Sequence, residues 1–344
     1  MKHIDYINRC IEIAQNGEGL VNPNPLVGCV LVHNDEIISE GYHEKFGGNH
    51  AERNAILPII GDPRLKNATL YVNLEPCNHQ GKTPPCTDLI IQAGIPKVVI
   101  SILDPNPLVA GSGVKRLEEA GIKVEVGVGE FEATMLNRFF LNFHKYKQPY
   151  VTIKWAETRD GFIGKMEGES IKITDEEIQK YNHKFRKSHS AILVGVNTWI
   201  NDKPKLTDRF WNGPQPIKII VDPNIKGSYE DAEGKTWVVN SLKNQDCGNL
   251  KYIKIGNKPS ISVNQILNYL YKQKINSLIV EGGKHTIEAF LKAQAFDEIH
   301  QFINVDIHLE EGIKAPKFPN LELTPKEREF KRIIHRQWDK YTAK

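Results

Sequence analysis

The sequence predicts an α/β protein of two domains, each built as a layered sheet flanked by helices. Three observations carry this. The 344 residues suit two domains of ordinary size. A composition of 40% hydrophobic and 25% charged residues is that of a chain that folds around apolar cores. Strand-like and helix-like patterns also alternate through both halves, as layered α/β folds require.

The first half opens on residues 4–16, where Ile4, Ile7, Ile11 and Ala14 recur at helical spacing. Residues 26–32 and 36–41 read as two strands joined by a turn at His33-Asn34-Asp35. A helix over 51–57 is stopped by Pro58. A strand at 68–72, a helix starting at Cys86 after Pro84-Pro85 and a strand at 97–102 follow. A short helix over 113–121 closes on Gly121, and 123–128 is a last strand. The sheet is expected to be mixed or parallel, with a site at one end of it.

Residues 144–149 are polar, basic and Pro-terminated, and read as a linker between domains 1–144 and 150–344. The second half has strands at 150–154, 191–196, 217–222, 237–240 and 277–280. Helices at 175–188, 263–272 and 286–293 lie between them, the alternation of a doubly wound sheet. Ligands of such sheets bind at the carboxyl ends of the strands. No Gly-x-Gly-x-x-Gly is present, but Glu281-Gly282-Gly283 stands after a strand and before a helix. Its glycines let a phosphate approach the backbone, or make a plain tight turn.

A net charge of +3 with interspersed signs, and no basic block with interleaved aromatics, argues against a nucleic-acid partner. Residues 1–19 carry acidic groups and no long apolar core, so no secretory leader is expected. No apolar run approaches a membrane span. Five cysteines, an odd number, suit a reducing cytoplasm.

The chemistry concentrates in His50-Ala51-Glu52 and Pro76-Cys77-Asn78-His79-Gln80-Gly81-Lys82-Thr83-Pro84-Pro85-Cys86. One imidazole, two thiolates and a carboxylate outside the metal shell are the ligand set of a zinc hydrolytic deaminase. Three protein ligands leave a tetrahedral position for water. Two thiolates make the zinc a weaker Lewis acid than a three-histidine site does, so a proton carrier is needed, and Glu52 is placed for it. Residues i and i+2 do not share a helix side. His50 and Glu52 therefore converge only at a helix start. His79 is the one nearby candidate for a fourth ligand of a structural zinc.

With these motifs, Asn22-Pro23-Asn24-Pro25-Leu26-Val27-Gly28, Gly41-Tyr42-His43 and Asp104-Pro105-Asn106-Pro107-Leu108-Val109-Ala110-Gly111, the chain resembles the bifunctional deaminase/reductase family of riboflavin biosynthesis. The long spacing between Cys77 and Cys86 distinguishes it from deaminases with Pro-Cys-x-x-Cys. In the second half the resemblance rests on 151–154, Asp160-Gly161, Gly168-Glu169-Ser170, Arg186, 191–196, 202–209 and Glu281-Gly282-Gly283. The resemblance implies a cytidine-deaminase-like three-layer domain followed by a dihydrofolate-reductase-like domain. It implies zinc on His50, Cys77 and Cys86, with Glu52 as catalytic proton shuttle. Asn24, His43, Lys82, Asp104 and Asn106 would contact the substrate of the first reaction. Ser170, Arg186, Leu206, Arg209 and Glu281 would contact that of the second. Ala156, Lys172, Thr198, Asp202 and Gly283 would contact NADPH. It further implies a small phosphorylated pyrimidine as substrate, a cytoplasmic location and a homo-oligomer, dimer or tetramer.

The chain departs from the family pattern at Thr158-Arg159, Lys172, Lys203 and 302–307. These departures leave an alternative open, a deaminase whose degenerate second domain serves assembly. A nucleic-acid base deaminase would instead predict Pro-Cys-x-x-Cys and a basic groove. A zinc-stabilised scaffold would predict that Glu52→Ala costs nothing.

Overall fold

Residues 2–80, 84–105, 110–166, 171–256, 261–318 and 323–340 are described by the computed structural model. They fall into two units, Met1–Lys147 and Gln148–Lys344.

The strands of the first unit are β1 (Gly28–His33), β2 (Glu36–Tyr42), β3 (Thr69–Leu74), β4 (Lys97–Ile102) and β5 (Lys123–Val126). They form a sheet in the order β2-β1-β3-β4-β5. β1 runs antiparallel to β2 and β3, and β3, β4 and β5 are mutually parallel. Its helices are α1 (His3–Ala14), α2 (Ala51–Ile56), α3 (Cys86–Ala93), α4 (Ser112–Glu119), α5 (Glu130–Leu136) and α6 (Arg138–Tyr146). Alternate strand residues face opposite sides. Val30, Val32, Tyr71 and Val99 pack under α1 with Tyr6, Ile7, Cys10 and Ile13. Cys29, Leu31, Leu70, Val72, Val98 and Ile100 pack under α2, α3 and α4 with Ala55, Ile56, Ile90 and Leu117. Both faces are covered, which is why these strands read as unbroken apolar runs. The result is a three-layer unit. The parallel strands β3 and β4 end together, and the chain leaving β3 runs straight into Glu75-Pro76-Cys77.

The reading of 144–149 as a linker is corrected at its start, because His144, Lys145 and Tyr146 are the last turn of α6. The basic residues that suggested a solvated linker instead sit where a helix terminus favours cations. Lys147, with φ of 54°, ends the helix.

The second unit has β6 (Tyr150–Thr158), β7 (Phe162–Gly164), β8 (Ala191–Gly195), β9 (Ile217–Val221), β10 (Thr236–Asn240), β11 (Gln245–Cys247), β12 (Leu250–Lys254), β13 (Ser277–Val280), β14 (Glu298–Asn304), β15 (Ile313–Lys314), β16 (Lys326–Phe330) and β17 (Ile333–Asp339). Its helices are α7 (Glu176–Ser188), α8 (Val196–Asp202), α9 (Val263–Lys272) and α10 (Lys284–Lys292). The main sheet has the order β11-β12-β10-β9-β8-β13-β6-β14-β17-β16, and β7 pairs with β15. The strands from β12 to β14 are parallel, whereas β11, β17 and β16 add antiparallel edges. α9 and α10 cover one face with Ile266, Leu270, Ile287 and Phe290. α7 covers the other with Ile178 and Phe185. Among the described residues, no helix is long and apolar enough to cross a membrane.

α1 meets β1 at backbone distance. A Cβ added to Gly28 would lie 2.0 Å from the Cys10 carbonyl oxygen. Gly28→Ala is therefore expected to lower the unfolding free energy by about 1–3 kcal/mol through overpacking. An unchanged denaturant midpoint would contradict this packing.

Candidate active sites

Three segments meet at the end of β3. His50 caps α2 in extended backbone, with φ −72° and ψ 161°. Cys86 is the first residue of α3, after Pro85. Cys77 follows β3 by three residues. One donor atom from each lies within 4.8 Å of the others. His50 Nδ1 is 3.4 Å from each sulfur, and the Cys86 N–H donates to Cys77 Sγ at 3.3 Å. The Cys86 thiol, then His50 and the Cys86 N–H, push the Cys77 thiol down to about 4 against its burial. The bond to Cys77 raises His50. An imidazole beside two thiols is a donor set suited to zinc, with one tetrahedral position left over.

Glu52 lies in the first turn of α2 and is 3% exposed. Burial, reinforced by the negative charge at Cys77, raises its carboxyl to about 7. It shares a hydrogen bond with Cys86 but stands outside the three-donor group.

Asn24 and His43 are brought to the same place. The His43 Nδ1–H donates to the Asn49 carbonyl at 2.8 Å, so its Nε2 accepts from the Asn24 amide at 3.1 Å. The ring meets His50 edge-on, with centroids 5.7 Å apart. Burial lowers the His43 pKa, which favours this neutral ring. Asp104 follows β4, and its N–H donates to Glu75 at 3.0 Å. Lys82 and Asn106 lie outside the described residues. Sequence reasoning passed over Glu75, whose one signal was a carboxylate wedged between an apolar strand and Pro76-Cys77.

The second constellation lies at the carboxyl ends of β8 and β13. Arg186 donates to both oxygens of Glu281, from Nη2 at 2.7 Å and Nε at 3.3 Å, a forked pair. Its Nη1 donates to the Thr207 carbonyl at 3.3 Å. Burial alone would raise Glu281, but Arg186 and then Lys154 outweigh it and hold the carboxyl at about 2. Lys154 is itself lowered by burial. Sequence reasoning missed Lys154 as a site residue, although a lysine inside an apolar strand was the signal. Leu206 is buried nearby, and the Arg209 N–H donates to His183 at 3.0 Å.

The Gly283 N–H donates to Thr198 Oγ1 at 2.8 Å, joining the starts of α8 and α10. A Cβ on Gly282 would lie 3.0 Å from the Gly195 nitrogen. This close junction of two helix starts, lined by glycines and by the hydroxyls of Thr198 and Thr286, suits the phosphates of a nucleotide cofactor. Among the described residues, no hydrogen bond or ion pair joins Ala156, Lys172 or Asp202 to this junction. Ala156 pairs with Phe302 inside the sheet, and Lys172 and Asp202 are exposed. Ser170 lies outside the described residues.

Comparison with known proteins matches a family to each half of the chain. Residues 1–102 match the family described as the cytidine and deoxycytidylate deaminase zinc-binding region. Residues 149–305 match the RibD C-terminal domain. Fold and sites together define a bifunctional enzyme, a zinc-dependent deaminase joined to an NADPH-dependent reductase. The chain is 43% identical over 307 residues to the riboflavin biosynthesis protein RibD of Aquifex aeolicus, covering 87% of this chain and 86% of that one. It is 36% identical over 318 residues to the Escherichia coli protein of the same name, covering 87% and 86%. Its structure is similar to that of a diaminohydroxyphosphoribosylaminopyrimidine deaminase/5-amino-6-(5-phosphoribosylamino)uracil reductase from Thermotoga maritima. That likeness has a TM-score of 0.88 and 35% identity, with 98% of each chain covered. Acinetobacter baumannii RibD gives the same TM-score at 31% identity, again over 98% of each chain. The chain belongs to the RibD family of riboflavin biosynthesis proteins.

The Arg186–Glu281 pair has a pH signature. Because Glu281 is depressed when folded, its contribution to stability is present above its ordinary value of 4.5 and is lost as pH falls toward about 2. Arg186→Met removes the largest influence lowering Glu281, leaves Lys154 and His183 against burial, and is expected to flatten this acid slope. The variant should also be less stable at neutral pH by about 3–5 kcal/mol, the cost of stranding a buried charge. Denaturant midpoints between pH 3 and 7 check both, and parallel curves for the two proteins would refute the pairing.

Proposed function

We propose that the first unit hydrolyses an amino group from 2,5-diamino-6-(5-phosphoribosylamino)pyrimidin-4(3H)-one. The second then reduces the ribose of 5-amino-6-(5-phosphoribosylamino)uracil to a ribityl chain. The observation that carries this reading is the meeting of His50, Cys77 and Cys86 beside the buried Glu52. The reactions named for the Thermotoga relative supply the substrates.

In this reading His50, Cys77 and Cys86 hold the zinc. Zinc, when bound, supplies a Lewis acid that makes water nucleophilic near neutral pH. Glu52 takes one proton from the attacking water and delivers it to the ring nitrogen as the C–O bond forms, then takes the second from the new hydroxyl and delivers it to the amine as the C–N bond breaks, so that ammonia leaves. A carboxyl poised near neutrality suits a group that must both accept and give a proton. Asn24 and His43 orient the pyrimidine through the amide and the neutral imidazole. Lys82, Asp104 and Asn106 position the remainder of the substrate.

In the second unit NADPH supplies the reducing equivalent. Gly283 and Thr198 hold its phosphates, with Ala156, Lys172 and Asp202 as further contacts. Arg209 offers a forked donor to the substrate phosphate, and Arg186, Ser170 and Leu206 line the same site. Arg186 also keeps Glu281 ionised beside the ribose. The free state of all five cysteines supports a cytoplasmic setting. The family resemblance supports a homo-oligomer, dimer or tetramer.

Glu52→Gln tests the proton path. It is expected to reduce ammonia release by at least about 100-fold, the scale of general acid–base catalysis. Zinc content and NADPH-dependent reduction of the deaminated intermediate should stay at wild-type values. Normal deamination by this variant would remove Glu52 from the mechanism.

A further inference from the structure

Glu75 continues β3 by one residue, its N–H donating to the Ile102 carbonyl at 2.9 Å. Its side chain is buried, and its carboxylate accepts four backbone N–H groups. Oε2 takes those of Asp104 and Gly111, each at 3.0 Å. Oε1 takes those of Gly113 at 2.8 Å and Val114 at 3.3 Å. The last two are orphan donors of the first turn of α4, so Glu75 caps that helix from a distant strand. Among these four bonds no neutral side chain could replace the carboxylate, because both oxygens must act as double acceptors.

The clamped chain is also held tightly against the backbone of Pro76-Cys77. A Cβ on Gly113 would sit 2.3 Å from the Pro76 carbonyl oxygen and 3.0 Å from Glu75 Oε1. A second tie runs alongside. The Asn78 amide donates to the Ser112 carbonyl at 3.2 Å, and the Thr87 hydroxyl donates to Asn78 at 3.1 Å. The Thr87 N–H in turn donates to the Cys77 carbonyl at 3.2 Å. One carboxylate thus fixes the backbone of Asp104 relative to the backbone of Cys77, two residues away.

We propose that Glu75 is a positioning residue for deamination, setting the distance between the Asp104 side of the substrate site and the Cys77 corner of the metal site. This rests on the deaminase reading above. It predicts a defect in substrate binding with the metal retained. E75Q turns an amide N–H₂ toward two backbone donors and breaks half of the clamp.

The test measures ammonia release by zinc-loaded E75Q against the diamino substrate, with zinc content and NADPH-dependent reduction of the deaminated intermediate read on the same preparation. The expected result is a KM for deamination raised by up to about 100-fold, the scale of a site misplaced by about 1 Å. Zinc content and reduction should match wild type. A wild-type KM with zinc bound would overturn the inference. So would a loss of zinc in proportion to the loss of activity, which would make Glu75 a support of the metal alone. If E75Q does not yield folded protein, G113A decides, since it keeps the carboxylate but forces the clamped chain away from Pro76. A raised KM in G113A supports the inference, and an unchanged one overturns it. Wild-type protein that releases no ammonia would overturn the deaminase reading itself, a result distinct from either variant's.

Discussion

Three donor atoms from segments far apart in the chain have to meet within 4.8 Å, and much of the first unit follows from that requirement. α2 must begin at Ala51 and α3 at Cys86, because only a residue at a helix start can aim past the first turn at a shared point. β3 must stop at Leu74 so that the chain can turn through Pro76 and deliver Cys77. The covering of both sheet faces makes the strand ends rigid enough to hold that meeting point. Glu52, one residue beyond Ala51, is carried into the same buried space with no freedom to leave it.

The second unit solves a related problem with side-chain charges. Glu281 is buried at the end of β13, where an isolated carboxylate would take up a proton. Arg186 from α7 and Lys154 from β6 keep it ionised, so three elements are locked by one charge balance. The positions where the sequence departs from its family are also tied into the fold. The Thr158 hydroxyl donates to Asp160 at 2.6 Å, and Asp160 accepts the N–H groups of Leu309 and Glu310. The Asn304 amide donates to the Ile173 carbonyl at 2.6 Å. These bonds hold the chain after β6 to the chain after β14. The departures at Thr158 and in 302–307 therefore sit within an ordered connection.

The metal constellation was legible in the sequence because zinc chemistry restricts both residue type and spacing. Most inner strands were legible because burial on both faces writes a continuous apolar run, but β12 and β14 were not, because Lys251, His300 and Gln301 interrupt theirs. β16 was not, since an edge strand reading Lys326-Glu327-Arg328-Glu329 is exposed and is held by pairing to β17. α8 was hidden because it starts immediately after β8, so its first residue, Val196, read as strand. Glu75 and Lys154 escaped as site residues for another reason. Their partners are backbone N–H groups and charges 29 to 127 positions away, and no local pattern announces a tertiary contact. The Arg186–Glu281 pair, 95 residues apart, was reached only through the family resemblance.

The central claim is that one chain performs two successive reactions. It is tested most directly by mixing zinc-loaded protein with the diamino substrate and NADPH, and following ammonia release and NADPH oxidation in one sample. The account predicts both signals, with NADPH oxidation lagging and reaching the same molar amount as ammonia. Ammonia without NADPH oxidation would contradict it, leaving the second unit with no reductase role.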